Sequence, residues 1–427
     1  MILKRATLGL AYLFSAALVF FAAIGLQQTE LLQIGFVGFV FTAWLVSSLI
    51  LGVSVRNSLL FTALFFIKPI PVSFMCAVFI LLFSLLFEFL QSGRKAFYIP
   101  YPAALSILLV TSIYGLVRSR NLDDSYLYFM STAFLPLLLL VLAANSRLKK
   151  DDFLLWMRLI VVIAAILGFI GTIMGMGSPD ERLGSLWVTA MTINGFYTLA
   201  FFFALALAFR ATVAQFRLLW YVCALLIFLG MMYTYTRMAL LAVIFGFFLM
   251  MWRMKKMRYI GMFLLLLLPL IIPSSMVSRI QLGLTFDVSI YIRLLAWYTA
   301  FQQIAQQPFF GIGISVWKEW YKGAVPIDFL YAEHPHNLIL KIWIEIGIFG
   351  LLSYLYIVYA VLRKFYLSLV KPASDNFYRV VQIGVVALLF SCLSDIFVQQ
   401  YSVGLVFWTT LGFLYALSRK SPDTEVS

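Results

Sequence analysis

Apolar residues run in long blocks along this chain, and short polar breaks separate the blocks. The blocks lie near 7–26, 31–52, 57–68, 72–91, 102–117, 127–144, 153–175, 189–209, 217–235, 237–252, 258–273, 337–362, 379–398 and 401–418. Most are long enough to cross a bilayer as a helix, which needs roughly 20 apolar residues. The pattern predicts an all-α, polytopic integral membrane protein with 12–14 transmembrane helices. The block 57–68 is short, and Pro69 and Pro71 separate it from 72–91. Those two blocks are expected to form one broken pair. One stretch, 274–336, is neither short nor uniformly apolar, and it is the sizeable extramembrane piece. Within it Ser289–Gln306 has helical periodicity, with Arg293, Trp297 and Phe301 on one face. Gln307-Pro308 should end that helix, and Gly311 and Gly313 should supply a turn.

Composition agrees with the pattern. Hydrophobic residues make up 64% of the chain and charged residues 11%, which excludes an ordinary soluble domain. Leu8 to Gln27 has the look of a signal peptide, but a second apolar block follows at once. An uncleaved first membrane helix is the expected reading. The domain organisation expected is one membrane unit over 1–420, with 274–336 inserted between its helices. A polar, disordered tail over 421–427 follows. Cys76, Cys223 and Cys392 all lie inside apolar blocks, so neither a disulfide nor a metal site is expected from them.

The net charge of +14 raises nucleic acid as a partner, and its distribution removes it. With the N-terminus in the cytoplasm and alternating segments, 21 of the 31 basic residues fall on the inner side. That bias sets orientation by the positive-inside rule, with both termini cytoplasmic. Ten basic residues then fall outside: Lys68, Arg118, Arg120, Arg182, Arg237, Arg279, Arg293, Lys318, Lys322 and Lys341. Arg118 and Arg120 share a loop with Asp123 and Asp124, which accounts for them. Local carboxylates could likewise pair Arg182, and none is near Arg237 in sequence. An arginine at membrane depth costs several kcal/mol unless it is paired or lines a wet cavity. Snorkelling to headgroups is the structural alternative for Arg237, and a solvated helix face for Arg293.

Candidate chemistry concentrates in Glu333-His334-Pro335-His336-Asn337, which holds the only two histidines of the chain. Pro335 blocks a helix from running through, so His336 and Asn337 sit at a helix start. A neutral imidazole there serves as a general base near pH 7, or is a satisfied helix-end histidine. Several guanidiniums plus a helix N-terminus suit a multiply charged anion such as a pyrophosphate. The sequence holds no Asp-x-Asp, no carboxylate cluster and no histidine pair at helical metal spacing. His334 and His336, two apart, could in principle chelate, but partners are missing, so metal-free chemistry is expected, with no cofactor. No G-x-S-x-G elbow points to a serine hydrolase.

His334-Pro335-His336-Asn337, with Leu340, Glu345, Gly347 and Gly350 after it, resembles the signature of the O-antigen ligase and polymerase superfamily. Arg293 with Trp297, and Pro308-Phe309-Phe310-Gly311-Ile312-Gly313, are similar to it too. So is Tyr235-Thr236-Arg237-Met238-Ala239-Leu240, although Met238 stands where a small residue is commoner. Arg182-Leu183-Gly184 with Asn194 matches a further family segment loosely. The resemblance covers roughly 180–400; the first 150 residues share only their membrane helices.

The resemblance implies a metal-independent, GT-C-like glycosyltransferase of the bacterial inner membrane, acting on the periplasmic side. It would move a glycan from undecaprenyl pyrophosphate to a hydroxyl of lipid A–core oligosaccharide. His336 would be the base and Arg237 and Arg293 the pyrophosphate grip. Arg182, Arg279, His334, Asn337 and Asp395 would line the substrate site, with Asp395 orienting His336 or an arginine. A polysaccharide polymerase of the same superfamily is the alternative. A protein O-oligosaccharyltransferase usually carries a large extra domain, and only about ten residues follow the last block. A lipid-linked oligosaccharide transporter would need charges across the whole membrane, and Glu88 is the main candidate in the inner half.

Overall fold

The computed structural model describes residues 30–91, 98–119, 122–146, 149–178, 184–187, 189–254, 288–325, 331–371 and 376–419, with isolated residues 259, 277 and 281. Every regular element among them is helical. In chain order these are α1 (Glu30–Leu51), α2 (Val55–Leu64), α3 (Pro71–Gln91), α4 (Pro102–Val117), α5 (Leu122–Phe129) and α6 (Leu135–Asn145). Then come α7 (Lys150–Gly177), α8 (Ala190–Arg210), α9 (Ala214–Met232), α10 (Arg237–Arg253), α11 (Val288–Gln306) and α12 (Trp317–Ala324). Last are α13 (Leu338–Phe365), α14 (Phe377–Ser391) and α15 (Tyr401–Arg419). A π-helical turn, Met130–Phe134, joins α5 to α6 into one span. The chain is a multi-pass helical membrane protein: eight spans among the described residues are long and apolar enough to cross a bilayer. The blocks 7–26 and 258–273 and the tail lie outside the described residues.

Local chemistry sets the helix starts. Ser54 accepts from Asn57 N at 3.2 Å and caps α2, and Thr189 accepts from Thr192 N at 3.2 Å and caps α8. Pro71 and Pro102 open α3 and α4, where a missing N–H is harmless. Helices α8 and α15 are apolar all round and buried nearly throughout, so they form the centre. Around them α7 packs on α9, α6 on α15, α4 on α13, and α14 on both α8 and α10. Helices α7 and α9 touch backbone to backbone: a Cβ on Gly230 would lie 2.4 Å from Gly168 Cα. Small residues at such crossings let membrane helices approach closely.

Three predicted blocks differ from the helices observed. The block 57–68 yields only the ten residues of α2, and residues after Leu64 turn towards α3. The block 379–398 stops being α-helical at Ser391, and 392–396 form an irregular turn. The block 337–362 is not one continuous helix. Gly347, at φ 74° and ψ −179°, breaks α13 into two stretches.

That break has a clear cause. Leaving the helix frees the carbonyls of Ile344 and Glu345 from their intrahelical partners, and a buried carbonyl must be satisfied. The segment after α11 does this with its backbone. Ile312 N donates to Ile344 O at 2.7 Å and Gly313 N to Glu345 O at 3.2 Å. In return Ile348 N donates to Pro308 O at 3.0 Å, and Trp343 Nε1 reaches the same oxygen at 2.9 Å. Only glycines tolerate this approach. A Cβ at Gly347 would lie 1.9 Å from Phe309 O, and one at Gly311 2.3 Å from Ile344 O. The break thus anchors the segment 308–313 against α13.

Candidate functional site

The site is assembled from four stretches of chain. The first is the turn between α9 and α10. Asn194, fully buried on α8, donates to the hydroxyls of Thr234 at 2.8 Å and Thr236 at 2.9 Å. Thr234 Oγ1 lies 3.2 Å from Asn194 Oδ1 in return. This clamp holds Tyr235 in the left-handed region, at φ 51°, and so fixes where α10 begins. Arg237 is its first residue.

The second stretch is the start of α11. Arg237 Nη2 donates to Ser289 Oγ at 3.1 Å. Arg293, one turn further on, donates from Nη1 to the same hydroxyl and to Ser289 O, each at 3.2 Å. Two arginines 56 positions apart in sequence therefore meet on one serine. Trp297 lies one turn beyond Arg293, and its Nε1 is buried with no hydrogen-bond partner.

The third stretch is 331–341. Asn337 is the N-cap of α13, its side chain accepting from Leu340 N at 3.1 Å. His336 takes a left-handed conformation, φ 48°, to enter the helix. Its amide donates to His334 Nδ1 at 3.2 Å, and the two rings lie 4.2 Å apart at 63°. Pro335 between them is buried. The fourth stretch is the irregular turn 392–396. Leu338 N donates to Cys392 O at 2.9 Å and Asn337 Nδ2 to Leu393 O at 2.8 Å. These bonds use part of the helix N-terminus that sequence reasoning reserved for an anion. They also deliver Asp395 to the histidines.

One donor atom each from His334, His336 and Asp395 lie within 4.8 Å of one another. The third member, Asp395, is about 60 positions away in sequence and is delivered by the turn after α14. Asp395 Oδ1 accepts from Ile396 N at 2.8 Å, while Oδ2 is buried with no hydrogen-bond partner. His336 Nδ1 is likewise buried and unpartnered. Orphaned polar atoms are rare inside proteins, and two in one cluster mark a place where something else is meant to bind or move.

The electrostatics follow from burial first. Burial pushes the His336 imidazole down to about 4, and the nearby Arg293 charge adds to this. His334 lies well below its usual range, from burial and then from His336, Lys341 and Arg293. Burial raises the Asp395 carboxyl to about 6, against the opposing effects of Ile396 N–H and Arg293. At neutral pH both histidines are uncharged and Asp395 is largely ionised. The three donors resemble a metal-binding set, but the charge of Arg293 bears on all three and opposes a second cation among them.

Two residues that sequence reasoning left out of the site belong beside it. Lys341 and Glu345 form a buried ion pair at 3.0 Å on the first turns of α13. Lys341 Nζ also sits 4.8 Å over the ring of Tyr128, whose hydroxyl donates to Gln399 Oε1 at 2.8 Å. Glu345 Oε1 accepts from Ser315 N at 3.4 Å. The i,i+4 spacing of Lys341 and Glu345 was the signal available. Ser289 carried none, because a lone serine at a helix start has many uses. Of the predicted residues, Arg237, Arg293, His334, His336 and Asp395 come together, and Asn337 serves the cluster as a cap. Arg182 and Arg279 lie outside the described residues.

The arrangement offers two guanidiniums, a neutral buried imidazole and a carboxylate beside it. This set suits binding a phosphate-type leaving group and removing a proton from a hydroxyl. No curated protein matches the chain. Residues 222–355, which contain Arg237, Arg293, His334, His336 and Glu345, match the family described as O-antigen ligase. Over those residues the chain is therefore similar to the O-antigen ligase family, in the stretch that carries both arginines and both histidines.

Proposed function

We propose that the protein is an O-antigen ligase of the bacterial inner membrane. It transfers a glycan from undecaprenyl pyrophosphate to a hydroxyl of lipid A–core oligosaccharide, at a site open to the periplasm. The observation that supports this reading most is the meeting of Arg237 and Arg293 on Ser289, beside the neutral His336.

In this mechanism the pyrophosphate oxygens lie against the two guanidinium forks, whose planar donors match them bidentately. His336 takes the proton of the acceptor hydroxyl. The acceptor oxygen attacks the anomeric carbon of the donor glycan. The bond from that carbon to the pyrophosphate oxygen breaks, and undecaprenyl pyrophosphate leaves with the electron pair. Its developing charge is stabilised by Arg237 and Arg293. Asp395 orients His336 through its second carboxylate oxygen and steadies the imidazolium formed during transfer. The bound pyrophosphate also raises the basicity of His336, because it offsets the Arg293 charge that helps depress it.

The test is transfer by purified protein in proteoliposomes. The vesicles contain lipid pyrophosphate-linked glycan and lipid A–core, with a chelator present. Glycan attached to lipid A–core is the expected product. Glycan appended instead to a second lipid-linked glycan assigns the polymerase reaction of the superfamily. Movement of intact donor between leaflets with no new glycosidic bond overturns the transferase reading in favour of a transporter.

A further inference from the structure

The C-terminal end of α13 carries a second site, remote from the first. Helix α13 is 28 residues long, so its Arg363 end lies away from the His336 end by a distance on the order of a bilayer's thickness. There a cavity of about 570 Å³ opens between α10, α13 and α14 and the π-helical turn Tyr366–Val370. Leu249, Leu362, Ile383 and Val386 line its apolar wall. Four cations surround it: Arg253 from α10, Arg363 from α13, Lys371 after the π-helical turn, and Arg379 from α14. Among the described residues no carboxylate lines the cavity, and none of the four forms a salt bridge. Arg253 instead lies 5.9 Å over the ring of Tyr366.

Orientation signalling explains the presence of basic residues on this face, but not this geometry. Topology requires only that lysines and arginines flank the helices. It does not require four of them, from separate elements, around a cavity with an apolar wall. We propose that this cavity binds an anionic phospholipid of the leaflet opposite to the His336 site. The headgroup phosphate would sit among Arg253, Arg363, Lys371 and Arg379, and an acyl chain would lie along Leu362 and Ile383. A soluble anion fits the cations but makes no use of the apolar wall. A zwitterionic lipid fits the wall but cancels much of the charge attraction.

The test is native mass spectrometry of detergent-purified protein titrated with phosphatidylglycerol, phosphatidylcholine or inorganic phosphate. Wild-type protein should retain phosphatidylglycerol at least tenfold better than phosphatidylcholine, and inorganic phosphate should not displace it. Arg363→Gln/Arg379→Gln should lose that preference, and Arg363→Lys/Arg379→Lys should keep most of it. A second variant, Ile383→Trp, fills the apolar wall with the charges intact and should also lower retention. Undiminished preference in the glutamine variant, at unchanged helical content, overturns the proposal. So does displacement of the lipid by inorganic phosphate, which would make the site one for a soluble anion.

Discussion

The two ends of α13 carry comparable numbers of charged groups and treat them in opposite ways. At the His336 end the charges of the site are buried or half-buried and individually held. Lys341 is locked to Glu345, and Arg237 and Arg293 meet on Ser289. The backbone there is irregular: His336 and Tyr235 are left-handed, Gly347 breaks the helix, and the turn 392–396 interrupts α14. At the other end the charges are more exposed, and α13 continues into the π-helical turn Tyr366–Val370 without a break like that at Gly347. The contrast teaches that charge count does not distinguish the two ends. Backbone irregularity does, because irregular backbone at membrane depth persists only where specific contacts satisfy it.

The sharpest way to break the comparison is at the backbone. Gly347→Ala places a methyl group 1.9 Å from Phe309 O at a φ of 74°. The helix must then either reclose or release the segment 308–313. The expected cost exceeds about 3 kcal/mol, within the range of severe single substitutions. Thermal unfolding of the purified protein in detergent measures it, and little folded protein should be recovered. Arg363→Gln at the opposite end should shift stability by less than about 0.5 kcal/mol. A Gly347→Ala protein that melts like wild type would show that the break carries no structural demand.

The next largest effect is on chemistry. If His336 is the base, as proposed, His336→Ala should lower the transfer step by roughly two to four orders of magnitude. Donor binding should survive, because the proposal gives the pyrophosphate grip to Arg237 and Arg293. His334→Ala should be milder, since His334 supports the loop by accepting from the His336 amide. Retention of radiolabelled donor by the protein separates the two functions. Loss of donor retention in His336→Ala would make this residue a pyrophosphate ligand rather than a base.

Arg237→Lys and Arg293→Lys come third. Lysine keeps the charge and loses the planar fork, so it should not restore function. Each exchange should lower kcat/KM roughly ten- to hundredfold, the worth of one charge-assisted contact. Single-turnover rates at matched protein level read this directly. Full activity in both would reduce these arginines to orientation signals, and the two ends of α13 would then differ less than proposed.

Much of this molecule can be read from hydropathy because helices in lipid satisfy their own backbone. The starts of α3, α4, α8 and α13 lie within one or two residues of the apolar blocks that predict them. The interruptions are another matter. Hydropathy averages over about 19 residues and is blind to a single helix break, as at Gly347, or an early stop, as at Ser391. Both depend on hydrogen bonds from distant segments: Pro308–Gly313 for one, the start of α13 for the other. The histidines and arginines were visible as scarce residue types on one predicted face. Their meeting point at Ser289 was not, and neither was the clamp of Asn194 on Thr234 and Thr236, because nothing local distinguishes these residues. Asp395 was recognisable only through resemblance.

The smallest effect expected is on the acid limb of the pH profile, and it separates two versions of the His336 site. If His336 acts alone, kcat/KM in the free enzyme should hold until the imidazole protonates, at about 4. If Asp395 orients His336, its carboxylate must be ionised, and burial places that ionisation at about 6. Protonation then removes the orienting charge before the base itself is lost. Activity should fall to about half near pH 6 and keep falling below it, since the acid limb of kcat/KM reports the free enzyme's essential groups. Asp395→Asn keeps the shape and removes the charge. In the coupled version it lowers activity at pH 7.5 and moves the acid limb down towards that of His336 alone. In the uncoupled version it changes neither. The measurement is initial rate at low donor concentration between pH 5 and 8. An unshifted acid limb in Asp395→Asn, with normal activity at pH 7.5, would show that the two orphaned atoms lie close together without working together.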